Sequence, residues 1–180
     1  HPVASGAGIT LGAGSYVLAV DAKGLDAELL EIYLIEAAEV LDTVATNRGE
    51  LERNPGDREA LRSARRQFHT LKGSGRMVGL DELGELAWAV ENVHNRLLEE
   101  EREVSPAALA MIEVAETNFR HWIGALKDTG SVAADPAELY AAIGRAEAEL
   151  PADAESAPQA PVVVAEREPA LDRATALPEP

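Results

Sequence analysis

The chain of 180 residues carries a formal net charge of −16 at pH 7 and has a sequence pI of about 4.6. Nucleic acids and anionic membrane surfaces bind proteins through a cationic footprint, so this balance argues against either as a partner. The chain has no cysteine, which excludes a disulfide framework and a thiolate metal site. Because neither a secretory signal nor a run of about 18 apolar residues is present, we expect a cytoplasmic protein. It starts at His1 rather than Met, so we expect a segment of a longer polypeptide.

The two ends of the chain differ in composition from its middle. Residues 1–22 are rich in Gly, Ala and Ser, which is typical of a flexible linker. Within them, the apolar run Tyr16–Val20 is compatible with a strand or with packing on the following domain. Residues 151–180 are rich in Pro, Ala and Glu, and their prolines prevent a continuous helix, so we expect a second, disordered linker there. The domain should span residues 23–150.

Two helices are predicted in the first half of this domain. Apolar residues recur at helical spacing over residues 25–51, and Asn54–Gly56 supplies a strong break. Asp57 is a suitable N-cap for the second helix. That helix can end at Gly79, because glycine readily adopts the left-handed conformation that often terminates helices.

Three more helices follow in the second half. Asp81 is predicted to cap a third helix that ends near Glu99. Ser105–Pro106 has the residue types preferred at the N-cap and first position of a fourth helix, and Asp135–Pro136 repeats the signal before a shorter fifth helix ending near Leu150. No strand pattern is evident in the middle of the chain. Four long amphipathic helices with short connections predict an all-α fold, an antiparallel up-and-down four-helix bundle, with the fifth helix packed alongside.

The second helix contains a basic segment that interrupts the acidic chain. Between Ala60 and Leu80 there is no Asp or Glu, and five cations surround the single histidine of this segment, His69. On a helix these residues share one polar face, opposite an apolar face that includes Phe68 and Met77. The cations are Arg62, Arg65, Arg66, Lys72 and Arg76. An exposed imidazole among cations is suited to binding an anionic group.

A glycine follows His69 on the same face, one turn later. Glycine inside a helix costs roughly 0.5–1 kcal/mol relative to alanine, so we expect Gly73 to serve a purpose other than helix stability. The missing Cβ leaves room for a partner to reach the ring of His69.

The segment Phe68-His69-Thr70-Leu71-Lys72-Gly73-Ser74 resembles the phosphoacceptor motif of histidine phosphotransfer (HPt) domains. The resemblance covers roughly residues 25–127. It is strongest to the domains of CheA-type chemosensory kinases, including large hybrid kinases linked to type IV pilus motility. It implies that His69 accepts a phosphoryl group on Nε2 and passes it to an aspartate of a receiver domain, with Lys72 and Gly73 as the flanking residues of the motif.

The resemblance extends to the third helix and to the partners. Glu91 matches the CheA-type glutamate that bonds the other ring nitrogen, and Trp88 stands where the family often has a second histidine. The implied partners are a histidine kinase catalytic domain and a receiver domain. ATP and Mg²⁺ are expected in those partners, and no cofactor in this domain. The order Lys72-Gly73-Ser74 is wrong for a P-loop, so we expect no ATP-binding catalytic site here.

Several residues keep two interpretations. Docking of a partner and simple solvation are equally compatible with four arginines, Arg62, Arg65, Arg66 and Arg76, and Arg65 or Arg76 could join Lys72 in offsetting charge on the transferred group. Ser74 is expected on the same docking surface, and packing or a backbone hydrogen bond is its expected contribution to the fold. The chain could serve its own kinase or relay between receivers, and a docking module that is never phosphorylated is the alternative.

The remaining candidate residues are assigned to structure. Glu91 and His94 form a Glu-x-x-His pair, but a di-iron bundle needs that pair from two helices, so no metal site is expected. His94 and His121 are interpreted as structural or surface residues. The aromatic residues Trp88, Phe119 and Trp122 lie at helical spacings that suit packing between helices.

Overall fold

The computed structural model describes residues 17–151, and the predicted linkers lie outside this range except for residues 17–22 and 151. The described part contains five helices and two short strands. In chain order they are β1 (Leu18–Asp21), α1 (Ala27–Arg53), α2 (Arg58–Val78), α3 (Asp81–Glu99), α4 (Pro106–Thr129), β2 (Ser131–Ala134) and α5 (Ala137–Ala148). The predicted all-α bundle is confirmed.

The helices run up and down, with α2 packed between α1 and α3, and α4 packed between α1 and α5. Side-chain contacts give the directions. Glu36 meets Ser74 and Asn47 meets Ser63, so α1 and α2 are antiparallel. α1 and α4 are also antiparallel, because Asp42 meets Arg120 whereas Arg48 meets Glu116. The same holds for α2 and α3, where His69 meets Glu91 and Arg76 meets Glu85. The short α5 lies on α4 and also contacts α3, as expected for an additional helix alongside the bundle.

Most helix ends follow the predicted chemistry. The Asp57 side chain accepts a hydrogen bond from the Ala60 amide, and Ser105 accepts one from Ala108 with Pro106 at the first helical position. Gly79 ends α2 with a φ of 95°, which is left-handed and favours glycine. The role predicted for Asp81 is wrong, because Leu80 occupies the cap position without a side-chain hydrogen bond and Asp81 is already helical.

Two short strands pair with each other, one before α1 and one between α4 and α5. β1 pairs antiparallel with β2, from Leu18 opposite Ala134 to Asp21 opposite Ser131. β1 falls within residues 1–22, where a linker was predicted, and the strand alternative for its apolar run is the one observed. β2 was not predicted, because four residues after Gly130 are too few to show an alternating pattern.

The core is formed by the apolar faces of all five helices. Its largest fully buried side chains include Tyr33, Phe68 and Phe119. Trp122 is buried as predicted, but Trp88 is 45% exposed and Met77 79% exposed, so the packing predicted for these two is wrong. Met77 follows Phe68 by nine residues, and at 3.6 residues per turn this spacing places it on the opposite side of α2 from the core. No helix within residues 17–151 has the length and apolar character required to cross a membrane.

Candidate functional site

His69 lies on the outward face of α2 at the boundary with α3. Its side chain is 63% exposed, whereas the preceding Phe68 is fully buried. The ring of Phe68 contacts the rings of His94 and Phe119, at centroid distances of 5.3 Å and 6.4 Å. This packing fixes the rotation of α2, and therefore the side of the bundle from which His69 projects.

Glu91 on α3 lies directly against the imidazole. Its Oε1 is 2.7 Å from His69 Nδ1, and its Oε2 is 2.7 Å from the Nζ of Lys72. The Glu91 side chain is only 5% exposed. Burial raises the pKa of the Glu91 carboxyl, but the hydrogen bonds from Lys72 and His69 outweigh burial and hold this pKa below its ordinary value. Glu91 is therefore a carboxylate at neutral pH.

This arrangement selects one tautomer of His69. A carboxylate can only accept hydrogen bonds, so the neutral imidazole carries its proton on Nδ1 and donates it to Glu91. The lone pair of Nε2 is then left on the exposed side of the ring. The site presents a nitrogen nucleophile to solvent, backed by a buried negative charge.

Gly73 leaves the approach to this nitrogen open. A Cβ built at Gly73 meets no atom within 4 Å outside its own helix backbone and chain neighbours, which agrees with the space predicted beside His69. Three of the predicted site residues, His69, Lys72 and Glu91, are thus brought into one contact set, with Gly73 next to it.

Cations on the basic face of α2 have carboxylate partners that the sequence did not indicate. Arg62 and Arg66 lie within 3.1 Å and 3.5 Å of carboxylate oxygens of Glu59, just before the acid-free segment. Arg76 is 2.6 Å from Glu85 of α3. These pairs are exposed, and exposed pairs are weak enough to be exchanged for a partner's carboxylates. The docking roles of Arg66 and Arg76 therefore stay predictions.

Ser74 and Arg65 lie on the two flanks of α2. The Ser74 hydroxyl donates a hydrogen bond to the Glu36 carboxylate of α1, so its partner is a side chain and not the backbone. Arg65 is half-buried on the α3 side, where it lines a groove with Asn95. A docking role for either residue stays a prediction.

His94 is a structural residue of the core, as one of its two interpretations proposed. It is fully buried, and its Nδ1 lies 2.8 Å from the backbone oxygen of Val90. Burial lowers the pKa of His94 to about 4, so the ring is neutral at pH 7. Within residues 17–151, no group of three or more His, Cys, Asp or Glu side chains is arranged to hold a metal ion.

The site depends on residues that the sequence analysis did not single out. Gly75 and Gly84 let α2 and α3 approach closely, and Glu36, Glu59 and Glu85 supply the carboxylates that meet the face of α2. A glycine inside each of two adjacent helices was the available signal for the close approach. The ion pairs had no sequence signal, because they depend on the register between helices.

The chain is similar to known proteins in sequence and in fold. The family model of the Hpt domain matches residues 28–129. The chain is 32% identical over 104 residues to the sensor histidine kinase CheAY of Helicobacter pylori, covering 58% of this chain and 13% of that protein. It is 24% identical over 113 residues to the chemotaxis protein CheA of Listeria monocytogenes, covering 63% of this chain and 18% of that protein. The chain therefore spans only a small part of these curated relatives.

A solved structure is also similar. The CheA phosphotransferase domain from Thermotoga maritima superposes with a TM-score of 0.53 at 26% sequence identity. The match covers 56% of this chain and 96% of the solved chain, so almost the whole of that domain has a counterpart here.

Proposed function

The chain belongs to the Hpt domain family, and from that premise we propose that it is a phosphotransfer module of chemosensory signalling with His69 as the phosphoacceptor. The observation that carries the proposal is the contact set of His69, Glu91 and Lys72. It leaves Nε2 unprotonated and exposed, on a helix that presents the ring outward.

The first step is attack by Nε2 on the γ-phosphorus of ATP held by a histidine kinase catalytic domain. The bond from phosphorus to Nε2 forms while the bond to the bridging oxygen breaks, and ADP leaves. Nδ1 keeps its proton, so the ring becomes positively charged as the new bond forms. The ionised Glu91 stabilises that charge without moving, because it is already hydrogen-bonded to Nδ1.

Lys72 acts on this step through Glu91. Its ammonium neutralises the buried carboxylate and fixes the oxygen that does not face the ring. Glu91 is thereby kept ionised and correctly oriented. Lys72 is a positioning residue in this scheme.

The second step passes the group to a receiver domain. A carboxylate oxygen of the receiver's aspartate attacks phosphorus, the bond to Nε2 breaks, and the neutral imidazole is restored. The open space at Gly73 gives the receiver access to the ring. Mg²⁺ is expected to be bound by the partner. Phosphoryl transfer requires mainly positioning and charge stabilisation, and this chain supplies the positioned imidazole and the carboxylate behind it.

The test is phosphorylation by the chemosensory kinase of the source organism with radiolabelled ATP. We expect an acid-labile label on the chain that is absent from His69→Gln and retained by His121→Gln, a variant of an exposed histidine on α4. Chasing with a receiver domain should remove the label. A chain that binds the receiver but takes no label under active kinase would contradict the proposal and identify a docking module.

A further inference from the structure

One cation on the face of His69 differs from its neighbours. Of the five cations in the acid-free segment of α2, four have a carboxylate oxygen within 4.0 Å in the described part of the chain. The remaining cation is Arg65. Its Nε is buried and has no hydrogen-bond partner among residues 17–151. A buried donor without a partner is costly, and Arg65 has no carboxylate partner in that range to compensate, so its guanidinium is free to bind an added anion.

Arg65 is also correctly placed to act on His69. It lies four residues before His69, and side chains at that spacing are neighbours on a helix surface. Arg65 lines a groove of about 880 Å³ between α2 and α3, together with Asn95, Arg58, Arg62 and the acidic residues Glu99 and Glu101, neither of which is within ion-pair distance of Arg65. Asn95 follows Glu91 by four residues on α3, so the groove runs along the same helix boundary that holds the imidazole.

The other cations near this boundary are already engaged. Arg58 donates hydrogen bonds to the backbone oxygens of Leu97 and Leu98 at the end of α3. Lys72 is held by Glu91, and removing it would leave a buried carboxylate without compensation. An anion bound to Nε2 therefore finds one available cation within a helical turn on the α3 side, which is Arg65.

We propose that Arg65, and not Lys72, is the residue that contacts the phosphoryl group on Nε2 of His69. This inference rests on the proposed function and adds a second group to the reaction. A guanidinium can donate two parallel hydrogen bonds to phosphoryl oxygens, and its charge offsets the negative charge of the transferred group. Glu91 then stabilises the ring, while Arg65 stabilises the phosphoryl oxygens.

The experiment uses phosphoramidate as a small phosphodonor, so that no partner protein contributes a cation. Nε2 attacks phosphorus, the phosphorus–nitrogen bond of the donor breaks, and the nitrogen leaves as ammonia. The labelling rate of the 180-residue chain is compared with that of Arg65→Gln and Arg53→Gln. The two variants lose the same charge, but Arg53 is an exposed residue in the last turn of α1, outside the site.

We expect Arg65→Gln to be labelled about tenfold more slowly, the scale of one charge-assisted hydrogen bond, and Arg53→Gln to stay within about twofold of wild type. A second readout is the ³¹P NMR titration of the phosphorylated chain. Loss of a contacting cation should move the midpoint of the phosphoryl titration to higher pH in Arg65→Gln only. Arg65→Lys, which keeps the charge without the paired donors, should fall between wild type and Arg65→Gln.

Each outcome bears on one of the two proposals. Equal rates and equal titration midpoints in wild type and Arg65→Gln would overturn the inference while leaving His69 as the acceptor. If the wild type takes no label from phosphoramidate and none from kinase with ATP, the proposed function is overturned and this inference with it. Circular dichroism of each variant checks that the helices are intact, and Arg65→Lys remains informative if Arg65→Gln does not fold.

Discussion

Gly75 of α2 and Gly84 of α3 face each other where the two helices that hold the site approach closely. A Cβ at Gly75 would lie 3.3 Å from the backbone nitrogen of Gly84. A Cβ at Gly84 would lie 2.9 Å from Arg76 Cγ and 3.2 Å from the backbone oxygen of Lys72. The absence of both side chains therefore sets the distance across which Glu91 reaches His69 and Lys72.

Gly84→Ala should destabilise the domain, although alanine is the better helix former. The gain in helix propensity is roughly 0.5–1 kcal/mol, whereas overpacking against backbone costs about 1–3 kcal/mol. We expect a net loss on the order of 1 kcal/mol in the free energy of unfolding, measured by urea denaturation. Gly73→Ala is the matched control and should gain about 0.5–1 kcal/mol, because a Cβ there meets nothing. Equal effects of the two substitutions would show that the close approach of α2 and α3 is not limiting.

Glu91→Gln should impair phosphorylation more than folding. The amide can donate to Nδ1 as well as accept from it, so control of the tautomer is lost together with the negative charge that stabilises the phosphorylated ring. We expect labelling by kinase and ATP to be at least about tenfold slower, with a stability loss of roughly 1–2 kcal/mol.

A matched variant separates this effect from a general change in charge. Glu85→Gln removes a carboxylate from the same helix, but one that is exposed and paired with Arg76. It should leave the labelling rate unchanged. The ¹⁵N shifts of the His69 ring should report a proton on Nδ1 in wild type and in Glu85→Gln, and a mixture of tautomers in Glu91→Gln. A single Nδ1–H tautomer in all three proteins would contradict this account of Glu91.

His94 should make stability depend on pH below neutrality. Burial lowers its pKa from 6.5 to about 4, so between these values the unfolded chain binds a proton that the folded chain does not. Above pH 6.5 the ring is neutral in both states and His94 does not lower the free energy of unfolding. As the pH falls from 6.5 toward about 4, the free energy of unfolding decreases by roughly 3 kcal/mol in total. Urea unfolding between pH 7.5 and pH 5 measures the upper part of this slope.

The variant that tests the assignment is His94→Phe. It replaces the titrating ring with an apolar ring beside Phe68, at the cost of the contact with the Val90 oxygen. The slope between pH 7.5 and pH 5 should be shallower in this variant, whereas His121→Gln, at an exposed position, should keep the slope of wild type. An unchanged slope in His94→Phe would assign the pH dependence to other groups.

The sequence predicted α2 well because its signals are local. Periodicity placed Phe68 inward and His69 outward, and Asp57 and Gly79 marked the two ends of α2. Glu91 required the family resemblance, since an acidic residue on a helix has no distinguishing pattern of its own.

What the sequence missed depends on the register between helices. The partners of Arg76 and Ser74 lie on α3 and α1, 9 and 38 residues away along the chain. Local pattern also failed for Trp88, which has the spacing of a packing residue but lies where α3 meets solvent. The availability of Arg65 could be recognised only after every other cation of the segment had been matched with its carboxylate.

Arg58 should stabilise the far end of the helix that carries Glu91. The last carbonyl groups of a helix have no partner within the helix, and the Arg58 guanidinium donates to the oxygens of Leu97 and Leu98 in the last turn of α3. It also donates to the oxygen of Arg102 in the segment that follows. Arg58→Met keeps most of the aliphatic stem but removes these donors. We expect a loss of about 1–3 kcal/mol in the free energy of unfolding.

The control for this prediction is Arg53→Met, which removes an exposed arginine in the last turn of α1 and should cost about 0.5 kcal/mol or less. Amide hydrogen exchange gives the local measurement, because the amides near Leu97 should lose protection in Arg58→Met before those near Glu91 do. If the end of α3 keeps its protection in Arg58→Met, the carbonyl groups are satisfied without the guanidinium. If Arg58→Met keeps the contact between Glu91 and His69, the end of α3 can lose stability without a change at the site.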